Sequence, residues 1–257
     1  PTASLDWALS DDVLVYAKYA RGFKSGGYNA DFVSSLDIIA FDDESVDSYE
    51  AGLKSQLFDG RLRFNVAAYV SKHKDFQVFS FTALPNGGTA LTVTNAGEVT
   101  SAGVEVDMLA AVTQWANFRV TYGYNDASFD SFKDGGGVGV DFDGNKLSEA
   151  PEHNLGLGAD LHWNVGIGEL VAQADYNYRS SYYSNPNNLP ANLNGSLALL
   201  GLRVGVEADR WSFFLWSKNA GDVSKQVYNS VSFLGVPRVT YSEPRTYGAT
   251  LKYRFGS

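Results

Sequence analysis

A period of two residues, recurring in runs of about ten, constrains this chain more than any other feature. In the last run Tyr247, Ala249, Leu251, Tyr253 and Phe255 alternate with Gly248, Thr250, Lys252 and Arg254. Successive side chains of a strand point to opposite faces, so the segment has one apolar face and one polar, charged face. The pattern returns in Phe118, Val120, Tyr122 and Tyr124 against Asn117, Arg119, Thr121 and Gly123. It returns again in Leu155, Leu157, Ala159, Leu161 and Trp163 against Asn154, Gly156, Gly158, Asp160 and His162. Further runs are Leu170 to Arg179, Leu62 to Ala68 and Val104 to Met108. Each is close to the 9–11 residues that a tilted strand needs to cross a bilayer.

The connections alternate in length. Tight links fall at Ser10-Asp11-Asp12, Phe58-Asp59-Gly60, Thr113-Gln114-Trp115, Val165 to Gly168 and Ala208-Asp209-Arg210. Long polar connections fall near 24–45, 82–90, 129–149, 184–192 and 219–240. Short turns on one side and long loops on the other mark an outer-membrane barrel, whereas a soluble sandwich has no reason to alternate them. The expected fold is therefore all-β: a transmembrane antiparallel up-and-down β-barrel, with about eleven strands present.

Composition removes competing classes. Apolar residues are 44% of the chain, yet mean hydropathy is −0.18, and no segment reaches the roughly 18 apolar residues of a membrane helix. A net charge of −9 argues against a nucleic-acid binder, which needs a basic stripe. The absence of cysteine leaves neither a disulfide framework nor a thiolate metal site. Pro1-Thr2-Ala3-Ser4 runs straight into strand-like sequence with no signal peptide, so a mature start or a fragment is expected.

In a membrane barrel the apolar parity faces lipid and the polar parity lines the lumen. Lys18, Glu50, Lys54, Arg63, Glu105, Asp107, Asp175, Arg179, Arg203, Lys252 and Arg254 all take the polar parity and are expected in the lumen. A cation on the lipid side at mid-depth costs about 2–4 kcal/mol. Trp7, Tyr19, Trp115, Tyr124, Trp163, Tyr178, Trp211 and Tyr253 lie near strand ends and suit interfacial girdles against lipid and lipopolysaccharide.

Several segments in order resemble the C-terminal barrel region of TonB-dependent outer-membrane receptors. They are Val15 to Asn29, Tyr49-Glu50-Ala51-Gly52-Leu53-Lys54, Phe58-Asp59-Gly60-Arg61-Leu62 and Asn65 to Tyr69. Asp75-Phe76-Gln77, Asn95-Ala96-Gly97, Gly103-Val104-Glu105, Lys218 to Asp222 and Pro244 to Gly248 follow. Each motif is weak alone; their order and spacing across nearly the whole chain are specific. The resemblance implies a 22-stranded barrel, of which residues 1–257 are the C-terminal part, with an N-terminal plug absent from this sequence. It also implies coupling to the TonB complex through that plug, and import of a scarce nutrient, most often a ferric siderophore or similar iron chelate. The terminal aromatics Tyr253 and Phe255 resemble an assembly signal, although Gly256 and Ser257 follow them.

Ligand contacts are expected from loop-proximal basic and aromatic residues: Arg21, Phe23, Lys24, Tyr28, Arg179, Tyr182, Tyr183 and Arg238. Asp31, Asp37, Asp42, Asp43, Glu44 and Asp47 in the first long loop oppose an anionic ligand. No catalytic site is expected, since His73, His153 and His162 are dispersed without triad spacing. No cofactor is implied, and no metal site. Gly136 to Asp141 matches the start of a calcium-binding repeat only once, and Asp141, Asp143 and Asn145 have Gly144 at the wrong place for an EF-hand loop. Two alternatives share some of these features. A plug-less porin-like barrel would share the alternation but not the motif order, and a secreted soluble β-sheet binding protein would lack the aromatic girdles.

Overall fold

The structure is a computed structural model and describes residues 1–29, 40–83, 89–135, 139–231 and 237–255. In chain order the strands begin with β1 (Thr2–Ser10), β2 (Val13–Lys24), β3 (Gly27–Tyr28), β4 (Ala40–Phe41), β5 (Glu44–Leu57) and β6 (Leu62–Lys74). Next come β7 (Gln77–Ala83), β8 (Thr89–Asn95), β9 (Glu98–Thr113), β10 (Ala116–Ser131), β11 (His153–Asn164) and β12 (Glu169–Arg179). The rest are β13 (Tyr182–Tyr183), β14 (Leu193–Asn194), β15 (Leu197–Glu207), β16 (Trp211–Lys218), β17 (Gln226–Val231), β18 (Pro237–Tyr241) and β19 (Thr246–Tyr253).

Eleven of these form one antiparallel sheet in the order β1-β2-β5-β6-β9-β10-β11-β12-β15-β16-β19. Each wall strand pairs with its sequence neighbours in the wall, which is up-and-down topology. The other eight make four two-stranded hairpins within the long connections. All five tight links are where the sequence places them. In the turn from β5 to β6, Phe58, Asp59 and Gly60 take φ of 55°, 55° and 80°, the left-handed region that a tight hairpin needs. The long connections are wider than expected: Ser25–Asp43, Asp75–Gly97, Phe132–Glu152, Ser180–Ser196 and Asn219–Arg245, here loops 1 to 5. The connection expected at 82–90 differs most, because the β7–β8 hairpin alternates like a wall strand yet stands in loop 2.

Register fixes the faces. Leu157 lies opposite Tyr176 and Val120, while Gly158 lies opposite Asp175 and Arg119, so each parity is continuous across strands. The apolar parity stays exposed: Leu157 is 41% accessible, Leu215 51% and Leu251 71%. Wide solvent exposure of large side chains on one whole sheet face signals a non-aqueous partner. Aromatics close the two ends of this face, with Trp115 and Trp163 stacked at 5.9 Å near the turns. Tyr19 and Tyr49 meet at 5.2 Å near the loops.

The polar face is concave, because side chains two strands apart meet there. Arg119 Nη2 reaches Asp175 Oδ1 at 2.9 Å across β11, and the Tyr69 hydroxyl reaches Asn125 Oδ1 at 3.1 Å across β9. Concavity crowds side chains, and glycines relieve it. Tyr16 lies opposite Gly52, Tyr69 opposite Gly103, Arg119 opposite Gly158 and Trp216 opposite Gly248. A Cβ on Gly103 would stand 2.8 Å from the Tyr69 hydroxyl. Large residue against glycine is thus a packing rule of this face.

Candidate functional site

The concave face encloses an open trough of about 680 Å³, lined by Tyr16, Lys54, Glu105, Asp107, Asn177 and Arg179 among others. Its charges are cross-linked in patches. Arg63 Nη2 lies 3.3 Å from Asp107, and Arg119 sits between Asp160 at 3.4 Å and Asp175 at 2.9 Å. Arg203 donates to Gln173 Oε1 at 2.8 Å and stacks 3.5 Å over the Phe214 ring. The Tyr16 hydroxyl donates to Glu50 at 2.6 Å, with Lys54 5.0 Å over the same ring. Near the turns Arg254 lies 3.8 Å from Glu207. Lys18 shares this face as the partner of Glu50, and Lys252 as the partner of Ser212. Most of these pairs are half-exposed, so they orient side chains more than they stabilise the sheet.

The expected ligand contacts do not converge on one point. Arg179 and Tyr182 come together, the guanidinium 4.5 Å over the ring, at the loop end of the trough. The Tyr182 hydroxyl donates to the carbonyl of Val227, and desolvation pushes its pKa up. Tyr183 is half-buried beside it, and the Tyr183 carbonyl accepts from the amide of Glu149 at 2.8 Å. Arg238 on β18 in loop 5, Lys24 at the end of β2 and Tyr28 in loop 1 are exposed. Arg21 and Phe23 are elsewhere. Their parity is that of Tyr19 on the apolar side, and Arg21 pairs with Asp47 at 3.9 Å. Closeness to a loop suggested them; counting by twos from Tyr19 sends them outward.

Of the acidic residues that oppose an anionic ligand, Glu44 and Asp47 lie on β5 and have hydrogen-bond partners. Asp47 accepts from the Tyr19 hydroxyl at 2.6 Å. Glu44, near-buried, binds His73 Nδ1 at 2.9 Å and the amide of Gln77 at 3.0 Å. Asp31 and Asp37 lie outside the described residues. The other histidines have separate partners, the Tyr122 hydroxyl for His153 and Glu169 for His162. In loop 3, Asp141 and Asp143 close on the Lys133 ammonium, which fills the place a cation would take. Hydrogen bonds to Asp143 and Asp141 hold the Lys133 pKa above its ordinary value, and Lys133 holds both carboxyls below theirs. Gly136 to Val138 lie outside the described residues.

Sequence reasoning missed an apolar cluster above the trough. Ala96, Val99, Phe129 and Phe132 are buried together, with Phe76, Val78, Phe142 and Leu147 packed on them. The cluster joins loops 2 and 3 over the ends of β9 and β10, which at 16 residues each exceed a membrane crossing. Phe129 on the polar parity of β10 was the available signal.

Comparison with known proteins adds what geometry alone does not carry. Residues 1–220 match the family described as TonB dependent receptor-like, beta-barrel. The chain belongs to the TonB-dependent receptor β-barrel family. It is similar to the pesticin receptor of Yersinia pestis, at 25% identity over 88% of this chain and 31% of that protein. It is also similar to the ferric-pyoverdine M114 receptor PbuA of Pseudomonas sp. strain M114, at 24% identity over 99% of this chain and 29% of that protein. Among solved structures, the ferric yersiniabactin uptake receptor FyuA from Yersinia pestis superposes with a TM-score of 0.82 at 20% identity, covering 99% of this chain and 37% of that one. This receptor chain therefore spans about a third of the length of the relatives it matches (31% and 29%). It is a wall segment of a Gram-negative outer-membrane β-barrel, in a family of receptors rather than enzymes. Family membership displaces the porin-like and soluble alternatives.

Proposed function

We propose that the chain is the C-terminal part of a longer receptor that imports an iron chelate across the outer membrane, driven by the TonB system. The apolar face then meets lipid and lipopolysaccharide, and the charged residues of the concave face, from Lys18 to Arg254, line the lumen against a plug and the remaining strands. The observation that carries this reading is the Arg179–Tyr182 pair at the loop end of an open, charged trough. A guanidinium stacked on a phenol offers a cation and an aromatic surface together, which suits anionic chelates with flat rings. Tyr183 in loop 4, Lys24 at the end of β2, Tyr28 in loop 1 and Arg238 in loop 5 are further candidate contacts in this reading. The relatives named for ferric pyoverdine and ferric yersiniabactin support the ligand class.

The test is uptake of radiolabelled ferric chelates by a deletion strain carrying the full-length gene. One chelate is expected to accumulate, to fail in a strain without TonB, and to bind about tenfold more weakly when Arg179→Glu is introduced, as loss of one charge-assisted contact implies. Equal uptake with and without TonB would sink the proposal.

A further inference from the structure

The loop contacts share a device that the sequence does not announce. Asn29 in loop 1 accepts from the Val93 amide at 2.8 Å and donates to the Val93 carbonyl at 3.0 Å in loop 2. Asn95 in loop 2 does the same with Asp42 in loop 1, at 2.8 Å and 3.1 Å. Asn188 in loop 4 does it with Lys146 in loop 3, at 2.7 Å and 3.0 Å. A side-chain amide carries one acceptor and donors in the geometry of a peptide unit, so each asparagine supplies one rung of an antiparallel ladder between two loops. Between loops 2 and 3 the apolar cluster around Phe129 makes the joint. Asn229 Nδ2 donates to the Ala191 carbonyl at 2.7 Å and joins loop 5 to loop 4.

We propose that these asparagines are positioning residues that, with the apolar cluster, clasp the described parts of the five loops into one cooperative body above the trough, so that weakening one joint loosens the others. The inference stands on loop contacts alone and holds whatever ligand the receptor takes. Its physical content is simple. Two hydrogen bonds from each of Asn29, Asn95 and Asn188 add to other bonds between the same loops, such as Gln77 Nε2 to the Ser25 carbonyl at 3.0 Å and Asn145 Nδ2 to the Pro186 carbonyl at 2.8 Å. If the joints act in series, breaking one lowers the opening free energy of the whole body, not of one loop. A ligand gripped at Arg179, at the end of β12, and Tyr182 in loop 4 would then steady the described parts of loops 1 and 2, several strands away.

Hydrogen exchange on the full-length receptor in lipid nanodiscs tests this. The reporter amides are those of Val93 and Asp42, each bonded to a clasp asparagine two joints away from Asn188. In Asn188→Ala, exchange at Val93 and Asp42 is expected to rise about fivefold, as it does at Lys146, because loss of hydrogen bonds of ordinary strength lowers one shared opening energy. Asn188→Asp keeps the acceptor for the Lys146 amide but turns a carboxylate oxygen on the Lys146, Asn185 and Pro186 carbonyls that Asn188 Nδ2 serves, so a rise at least as large at the same distant amides is expected. Heat-resistant electrophoretic mobility of each variant shows that the barrel is closed. A rise confined to loops 3 and 4 in both variants would overturn the proposal and make the loops independent.

Discussion

The wall and the crown of loops above it are built on different physics. In the wall, eleven strands exchange backbone hydrogen bonds with both neighbours, apart from β1 and β19, and the side chains need only respect parity. In the crown, strands are two to seven residues long, and side chains do the joining: asparagine to backbone, aromatic on aromatic. Substitutions in the wall are therefore judged by face, and those in the crown by individual partner. The difference also assigns work. A ladder closed by backbone bonds holds shape, while side-chain joints of about 1 kcal/mol each can be opened and remade by a ligand.

The largest expected effect breaks the crown and spares the wall. Phe129, 1% exposed at the centre of the loop cluster, when changed to Ala loses about 3–5 kcal/mol of local stability. Proteolysis should cut loops 2 and 3 while the barrel keeps its thermal mobility shift on gels; loss of the shift would mean that the cluster supports the wall itself. Next is the wall. Ala174→Arg places a cation on the apolar face of β12 and is expected to cost about 2–4 kcal/mol in folding into lipid vesicles. Asn177→Arg on the opposite parity should cost far less, and equal costs would refute the face assignment. Smaller again is Arg119→Met, which leaves Asp160 and Asp175 without their shared cation; for half-exposed pairs a loss of about 1 kcal/mol is expected in the same titration.

The smallest effect is a pH window in loop 3. The Asp141 and Asp143 contribution is present above their ordinary value of 3.8 and fades as pH falls through their lowered folded values. The Lys133 contribution is present below its ordinary 10.5 and fades as pH rises through its raised folded value. Limited proteolysis of loop 3 should thus be slowest between about pH 4 and about pH 10, with Lys133→Met weakening the acid-side dependence and leaving the part due to the Asp134 and Phe132 amides. A variant that keeps the same acid-side profile would show that the clamp is idle.

Much of the wall was legible because a period of two is a direct consequence of backbone geometry. The turns at Asp11-Asp12, Phe58 to Gly60 and Val165 to Gly168 could be placed because turn residues interrupt that period. The same rule misled at β7 and β8, since alternation marks a strand wherever it stands, in lipid or above it. Glycines such as Gly52, Gly103 and Gly158 read simply as polar-parity positions; their use as space for Tyr16, Tyr69 and Arg119 depends on curvature and cross-strand register. Of the site, Arg179 and Tyr182 were legible as loop-proximal basic and aromatic residues, while their stacking was not. Asn29, Asn95 and Asn188 were not, because asparagine is common in every turn and its partners here are 64, 53 and 42 residues away.

The two faces of the wall define this barrel, and the absence of cysteine from this chain makes them directly measurable. Single cysteines at successive positions 172 to 177 of β12, in the full-length receptor with any other cysteine replaced, can each carry a fluorescent label in lipid vesicles. Labels at Ala172, Ala174 and Tyr176 should be quenched by lipid-borne quencher, and labels at Gln173, Asp175 and Asn177 by aqueous quencher. Quenching that ignores parity, or follows it in the opposite sense, would contradict the barrel described.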